Sequence, residues 1–447
     1  AIPLVIPMSS ISDKPWMTTL GDLGKGAWKW HSGVVGPDER VYFMPCNESC
    51  VLVVDPETQT LEKMGDLGQG KFKYNKGVVA GNGKIYGMPS HGKKILEIDA
   101  ATSSVRAYGN LPTNWGSKWN HGVLGPDGKV YCIPFDAPSI LVIDPADGST
   151  AFLGDFGPMK YKWRVGLLGP DGKIYGFPYN HNSVLVIDTK EGSVKLLSCG
   201  DEGKEKSKWN GGMIGSDGRI YGIPASARKI LVIDPARESV SLFGSLSKGN
   251  KKWRNCVEAP NGKIFGIPFD AASVLVIDPK AETAVEVGDL GHQEGKWSDG
   301  ALGDDGRIYG MPHNAESALV IDPATGSIGL SDPILQPVAD GVDSKMDGKW
   351  VECFKTRGYI YGVPVHASSV LVIDTTGRSS STYPKSAESL QDVSTEHWPQ
   401  KEAPRWKCRP DQGGYGRGKG YGGNGKGYGR DKGWDAERPR RWVTTKA

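Results

Sequence analysis

No run of 18 apolar residues occurs in the 447-residue chain, which argues against a membrane-spanning helix. Across the repeats described below, no stretch keeps the apolar period of a helix. The seven cysteines (46, 50, 132, 199, 256, 353 and 408) are odd in number and mostly far apart, which excludes a disulfide framework. Cys46 and Cys50 share a loop, but no second Cys or His pair stands at zinc spacing, and no metal is expected there. Cys132, Cys256 and Cys353 occupy repeat positions where Gly stands in most other copies, and read as small buried residues. This usage fits a reducing intracellular compartment, while the compartment itself is not specified. The opening Ala-Ile-Pro-Leu-Val-Ile-Pro-Met is too short and too Pro-rich for a signal-peptide core. Excess charge is also scarce: the net value is +3, so the whole molecule is no obvious polyanion binder. Gly-x-Ser-x-Gly, His-Glu-x-x-His, phosphate-loop and dinucleotide motifs are missing from any fitting context, so no cofactor is expected.

Glycine is abundant instead, with 62 residues beside 30 prolines, and 38% of the chain is apolar, enough for a large core. A Lys-aromatic pair recurs with Trp30, Tyr74, Trp119, Trp163, Trp209, Trp253, Trp297 and Trp350, at intervals of 44, 45, 44, 46, 44, 44 and 53. A fixed period in this range means a repeat architecture. From Trp119 one copy reads as a short strand, a Pro126-Asp127-Gly128 turn, and a second strand from Val130 to Ile133 closed by Pro134. A third apolar strand at Ile140–Ile143 and a weaker fourth at Ser149–Leu153 follow.

Four short strands per copy predict an all-β chain, an eight-bladed β-propeller of four-stranded blades, over residues 1–384. Over about residues 15–384 the chain resembles the β-propeller repeat families of Kelch, NHL and YVTN type. It departs from the WD40 pattern, since its Trp434-Asp435 lies outside the array, and from Kelch in lacking a repeated Gly-Gly. The resemblance implies the architecture and leaves the activity open. The eighth copy ends in a poor outer strand, and Trp16–Gly24 matches the fourth strand of the other copies, so this segment is expected to close the ring. Residues 331–348 form a longer loop, a common place for function on a rigid scaffold.

Residues 385–412 read as a polar linker. Beyond it, 11 of the 21 residues from Gly413 to Gly433 are Gly, so 413–447 are expected to stay disordered. From Pro404 onward there are 12 Lys and Arg against 4 Asp and Glu, net +8, while the preceding 403 residues carry 42 against 47. The tail resembles the RGG-type segments of RNA-binding proteins, although Lys and Tyr replace much of the Arg-Gly-Gly spacing. Its candidate contacts are Tyr415, Arg417, Lys419, Tyr421, Lys426, Tyr428, Arg430, Arg440 and Arg441: cations for phosphates, rings for bases. A solubilising or protein-binding tail is the other reading.

Within the propeller, the candidate binding residues are Lys29, Lys73, Lys118, Lys162, Lys208, Lys252, Lys296 and Lys349, a cationic ring at the channel mouth or a solvated rim. The eight aromatic partners read as inter-blade packing residues. Positions that break the eightfold sameness follow the aromatic residue (His31, Asn120, Arg164, Asn210, Arg254, Asp299, Glu352) or lie in the loops after the second strand. The loop set includes His91, Phe135, Tyr179, His181, Phe269, His313 and His366. They spread over different blades, and read as ordinary exposed polar loop residues with no catalytic set and no metal site. The leading expectation is a non-enzymatic interaction scaffold docking a protein or acidic partner, with the tail contacting RNA or another polyanion. The alternatives are a metal-assisted propeller hydrolase or lyase and a carbohydrate-binding propeller.

Overall fold

The computed structural model describes residues 16–200, 206–334 and 348–376, together with the backbone of 443–445. Its regular elements are β-strands, arranged as eight antiparallel sheets. The inner strands touch one another in cyclic order, and that of blade 1 meets those of blades 2 and 8, so the sheets close into an eight-bladed propeller.

Blade 3 illustrates the plan: Trp119–Leu124, Val130–Pro134, Ile140–Ile143 and Thr150–Leu153, from the channel outward. The middle two strands are wholly buried because neighbouring blades cover both faces, and their sequences are accordingly continuous apolar runs. Pro134 ends the second strand opposite Trp119, where a residue without an N–H stops the ladder. The turn before it is held by Asp127, which accepts from the Lys129 backbone N–H at 3.3 Å and from the Tyr131 hydroxyl at 2.8 Å. The aspartate that ends each third strand does similar work: Asp278 accepts from the backbone N–H groups of Lys280 and Ala281 at 3.1 and 3.0 Å.

The core consists of layers between blades. Trp163 of blade 4 packs with Val123, Ile133, Ile140 and Val142 of blade 3, and Trp30 of blade 1 packs with Val363, Val370 and Val372 of blade 8. The eighth blade takes its outer strand from the other end of the propeller. Met17–Leu20 pairs antiparallel with Val370–Asp374, Met17 opposite Ile373 and Leu20 opposite Val370. Trp16 adds a ring contact at 5.6 Å to Tyr309 of blade 7. Val443–Thr445 forms a short fifth strand against the outer strand of blade 3, Thr445 opposite Thr150.

In every blade the register of the inner strand slips just after its first aromatic residue. Such a bulge re-aims the residues that follow. In blade 6 it sends Arg254 to a cavity at the channel mouth, while the next residue, Asn255, bonds Asp299 of the adjacent inner strand.

Candidate binding site at the channel mouth

Seven of the eight repeated lysines are buried, with 0–7% of their surface exposed, Lys349 is half-buried, and together they form no solvated rim. The physical reason is the loop of the preceding blade, which lies over each one. Lys162 Nζ donates to Met159 O in its own loop at 2.6 Å and to Asp136 O of blade 3 at 3.3 Å. Lys29 bridges to His366 O, Lys73 to Asn47 O, Lys118 to Gly92 O and Lys208 to Tyr179 O in the same way. Lys252 reaches Ala227 O and Lys349 reaches Ala315 O, while Lys296 donates to Gln293 O in its own loop. Their backbones repeat the link: Lys162 N donates to Phe135 O at 2.9 Å, and Tyr179 N donates to Lys162 O at 2.9 Å. Burial pushes the ammonium pKa of Lys29, Lys118, Lys162 and Lys296 down to about 8.

The partner aromatics Trp30, Tyr74, Trp119, Trp163, Trp209, Trp253, Trp297 and Trp350 are buried as well, none more than 4% exposed. Seven of them are tryptophans whose indole N–H donates to a backbone carbonyl entering the third strand, as Trp163 does to Ser183 O at 2.8 Å. A carbohydrate platform built from this ring is therefore closed off.

A different set of aromatics is exposed. Trp28, Phe72 and Tyr161 immediately precede the repeated lysines of blades 1, 2 and 4, with 39%, 37% and 45% exposure, and Met159 beside them has 46%. All three aromatics take the left-handed backbone region, with φ of 57°, 52° and 59°, which a bulky side chain rarely adopts. In this conformation the carbonyl group of each aromatic residue accepts from the loop after the second strand: Asn47 N donates to Trp28 O, His91 N to Phe72 O and Asn180 N to Tyr161 O, at 2.8, 2.9 and 2.9 Å. Trp28 stacks on His31 at 5.8 Å and meets Phe72 and His366 edge-on at 5.6 and 5.3 Å. Tyr161 meets Phe135 at 4.9 Å, and Phe135 meets Tyr179 at 6.0 Å.

Beneath this surface the inner strands carry polar side chains. Ser32 donates to Glu352 Oε2 at 2.6 Å, Lys76 Nζ lies 3.9 Å from the same oxygen, and Asn75 donates to Asn120 Oδ1 at 2.6 Å. Asp299 accepts from the Asn255 amide and from the backbone N–H groups of Cys353 and Gly300, the latter two at 2.9 and 2.8 Å. Burial, with Glu352 nearby, pushes the Asp299 carboxyl up to about 6. For Glu352 burial acts upward too, but Lys76, the Ser32 hydroxyl, His31 and Arg254 together outweigh it and hold the carboxyl below its ordinary value.

His181, His313 and His366 are half-buried and not the exposed loop residues expected. His181 lies 4.3 Å from the Trp163 ring and accepts from Ser183 N at 3.1 Å. His313 and His366 line a cavity of about 250 Å³ with Trp28, Arg254, Val351 and Val365. A shallower depression of about 460 Å³ lies between the blade 5 and 6 loops, lined by Lys206, Arg228 and Lys248. All six described cysteines are buried and unpaired. Among the described residues no three His, Cys, Asp or Glu side chains are grouped to hold a metal ion, and no helix is long and apolar enough to cross a membrane. Tyr415, Arg417, Lys419, Tyr421, Lys426, Tyr428, Arg430, Arg440 and Arg441 lie outside the described residues, as do 335–347 of the long loop and the linker 385–412.

Sequence reasoning missed Trp28, Phe72 and Tyr161. The available signal was the residue before each repeated lysine, aromatic in three copies and Ser, Lys or Gly in the other five.

No protein-family model matches the chain, and no curated protein matches it in sequence. The fold is similar to that of a streptogramin B lyase, with a TM-score of 0.51 and 16% identity over 66% of this chain and 94% of that one. It is also similar to the selenomethionine-substituted virginiamycin B lyase from Staphylococcus aureus, with a TM-score of 0.52 and 13% identity over 80% of this chain and 98% of that one. At such identities the likeness concerns the propeller fold alone.

Proposed function

We propose that this chain is a non-enzymatic recognition propeller that docks an acidic protein segment across its channel-mouth face. The observation that carries this reading is the pairing, on one face, of the exposed Trp28, Phe72, Met159 and Tyr161 with the basic depression formed by Lys206, Arg228 and Lys248. Exposed aromatic side chains give large contact area at low entropy cost, and a basic rim selects and steers an acidic partner. The basic tail adds sequence-tolerant contacts to RNA or another polyanion.

The test is selection from a random peptide library on the full chain, followed by binding of the selected peptides to a Trp28→Ala/Phe72→Ala/Tyr161→Ala variant. Acidic peptides carrying apolar residues are expected, with at least about a tenfold loss of affinity in the variant. Selection of basic or neutral peptides, or equal binding by both proteins, would overturn the docking face.

A further inference from the structure

Nine arginines fall within the described residues, and seven have partners there. Arg40, Arg106, Arg219, Arg237, Arg307 and Arg357 pair with carboxylates, and Arg228 donates to Leu246 O at 3.0 Å. Arg164 and Arg254 differ. Among the described residues neither guanidinium makes a hydrogen bond or an ion pair. Each instead lies over a ring of its own blade's loop, Arg164 at 5.6 Å from Tyr179 and Arg254 at 5.2 Å from Phe269. Both occupy the same repeat position, directly after the tryptophan, in blades 4 and 6.

The two cations act on one another and on the same group. Burial pulls Arg254 down to about 10, helped by the charge of Arg164 and opposed by Glu352 and Asp299. His31, from blade 1, is pushed down to about 4, first by burial and then by both arginines against the pull of Glu352. Its imidazole is therefore neutral near pH 7, with an N–H to donate. The nearby carboxylates are already engaged: Glu352 by Ser32 and Lys76, Asp299 by Asn255 and two backbone N–H groups. Glu352 and Asp299 attract Arg254 without bonding it, and a half-buried cation with no bonded anion suits an anionic ligand. Beside Arg254 lies the cavity of about 250 Å³, walled by Trp28, Val351, Val365, His313 and His366. That is room enough for a planar ring.

We propose that the channel mouth is a binding site for a small aromatic carboxylate, whose carboxylate pairs with Arg254, with Arg164 adding to the positive field, and whose ring lodges against Trp28, Val351 and Val365. The fork geometry of guanidinium suits a carboxylate, and aromatic walls suit a planar apolar body. The two readings share Trp28 and are told apart by the other residues: the peptide experiment leaves both arginines in place, and the benzoate experiment leaves Phe72 and Tyr161 in place.

The experiment compares benzoate with benzamide, its neutral near-isostere, and with acetate, its headgroup alone. Calorimetric titration and the Tm of the full chain are read at constant ionic strength. Benzoate is expected to bind saturably and raise Tm, with benzamide and acetate weaker by about tenfold or more. Arg254→Met is expected to weaken benzoate by about tenfold or more, and Arg164→Gln by less. The ligand-free Tm of both variants should be unchanged or higher, because a repelled charge has gone. Equal binding of benzoate and benzamide, acetate as strong as benzoate, or unaltered benzoate affinity in both variants would each overturn the proposal. So would a lower ligand-free Tm in both variants, which would make the guanidinium groups part of the packing.

Discussion

A lysine repeated in all eight blades looks from sequence like a charged rim, and in the fold it is a staple between neighbours. Lys162 shows the balance of forces. Its ammonium is buried, which costs free energy, and it returns hydrogen bonds to Met159 O and Asp136 O that no apolar side chain could supply. Lys162→Met strands both carbonyls and is expected to cost about 1–3 kcal/mol at neutral pH. The pH dependence carries a sign that separates this role from simple packing. The folded-state pKa of about 8 lies below the unfolded value for lysine, about 10.4. Between the two, the unfolded chain holds more protons than the folded one, so this group's contribution rises with pH; it is complete above the unfolded value and lost as pH falls through about 8. The stability difference between wild type and Lys162→Met, from denaturant melts at pH 7.5 and pH 9.5, should therefore widen at the higher pH. A difference that does not change, or narrows, would rule out the buried-staple account of Lys162.

At the scale of the element, each inner strand does two jobs: it packs its aromatic residue on the preceding blade and, past the bulge, presents polar side chains at the channel. The first job is legible in the sequence, because packing repeats with the period and every copy must satisfy the same neighbour. The second is not. Arg164 and Arg254 are two repeats apart, and the action of one charge on the other is a property of the closed ring, invisible in their chain spacing. Burial of the lysines was hidden for a related reason: what covers Lys162 is the Asp136 loop of the previous copy. The strand Met17–Leu20 has its own consequence. It supplies the outer edge of blade 8, and Leu23 N also donates to Ser368 O at 2.7 Å. Deleting residues 1–24 should expose the edge of Val370–Asp374 and the side of Tyr309, and lower Tm by about 5 °C or more. An unchanged Tm in a calorimetric scan would mean that the ring holds without this strand.

For the whole molecule, the division of charge is the feature that a ring of blades does not explain. The first 403 residues carry a small negative excess, and the remaining 44 carry net +8 with three Tyr-Gly repeats. A polyanion drawn by the full chain should therefore be drawn by the tail, through phosphate neutralisation whose strength falls steeply with salt. Full-length chain and residues 1–403 are expected to differ in their binding of single-stranded RNA and of heparin at low salt, and to converge as salt rises. Matched melting curves of the two proteins keep this comparison clean, because the shorter one also lacks the strand Val443–Thr445 on blade 3. Equal affinity at every salt concentration would remove RNA contact from the tail and move it to the basic depression at Lys206, Arg228 and Lys248. Tail-dependent binding of RNA but not heparin would point the other way, to stacking of Tyr415, Tyr421 and Tyr428 on bases as the larger contribution, because heparin offers charge without rings.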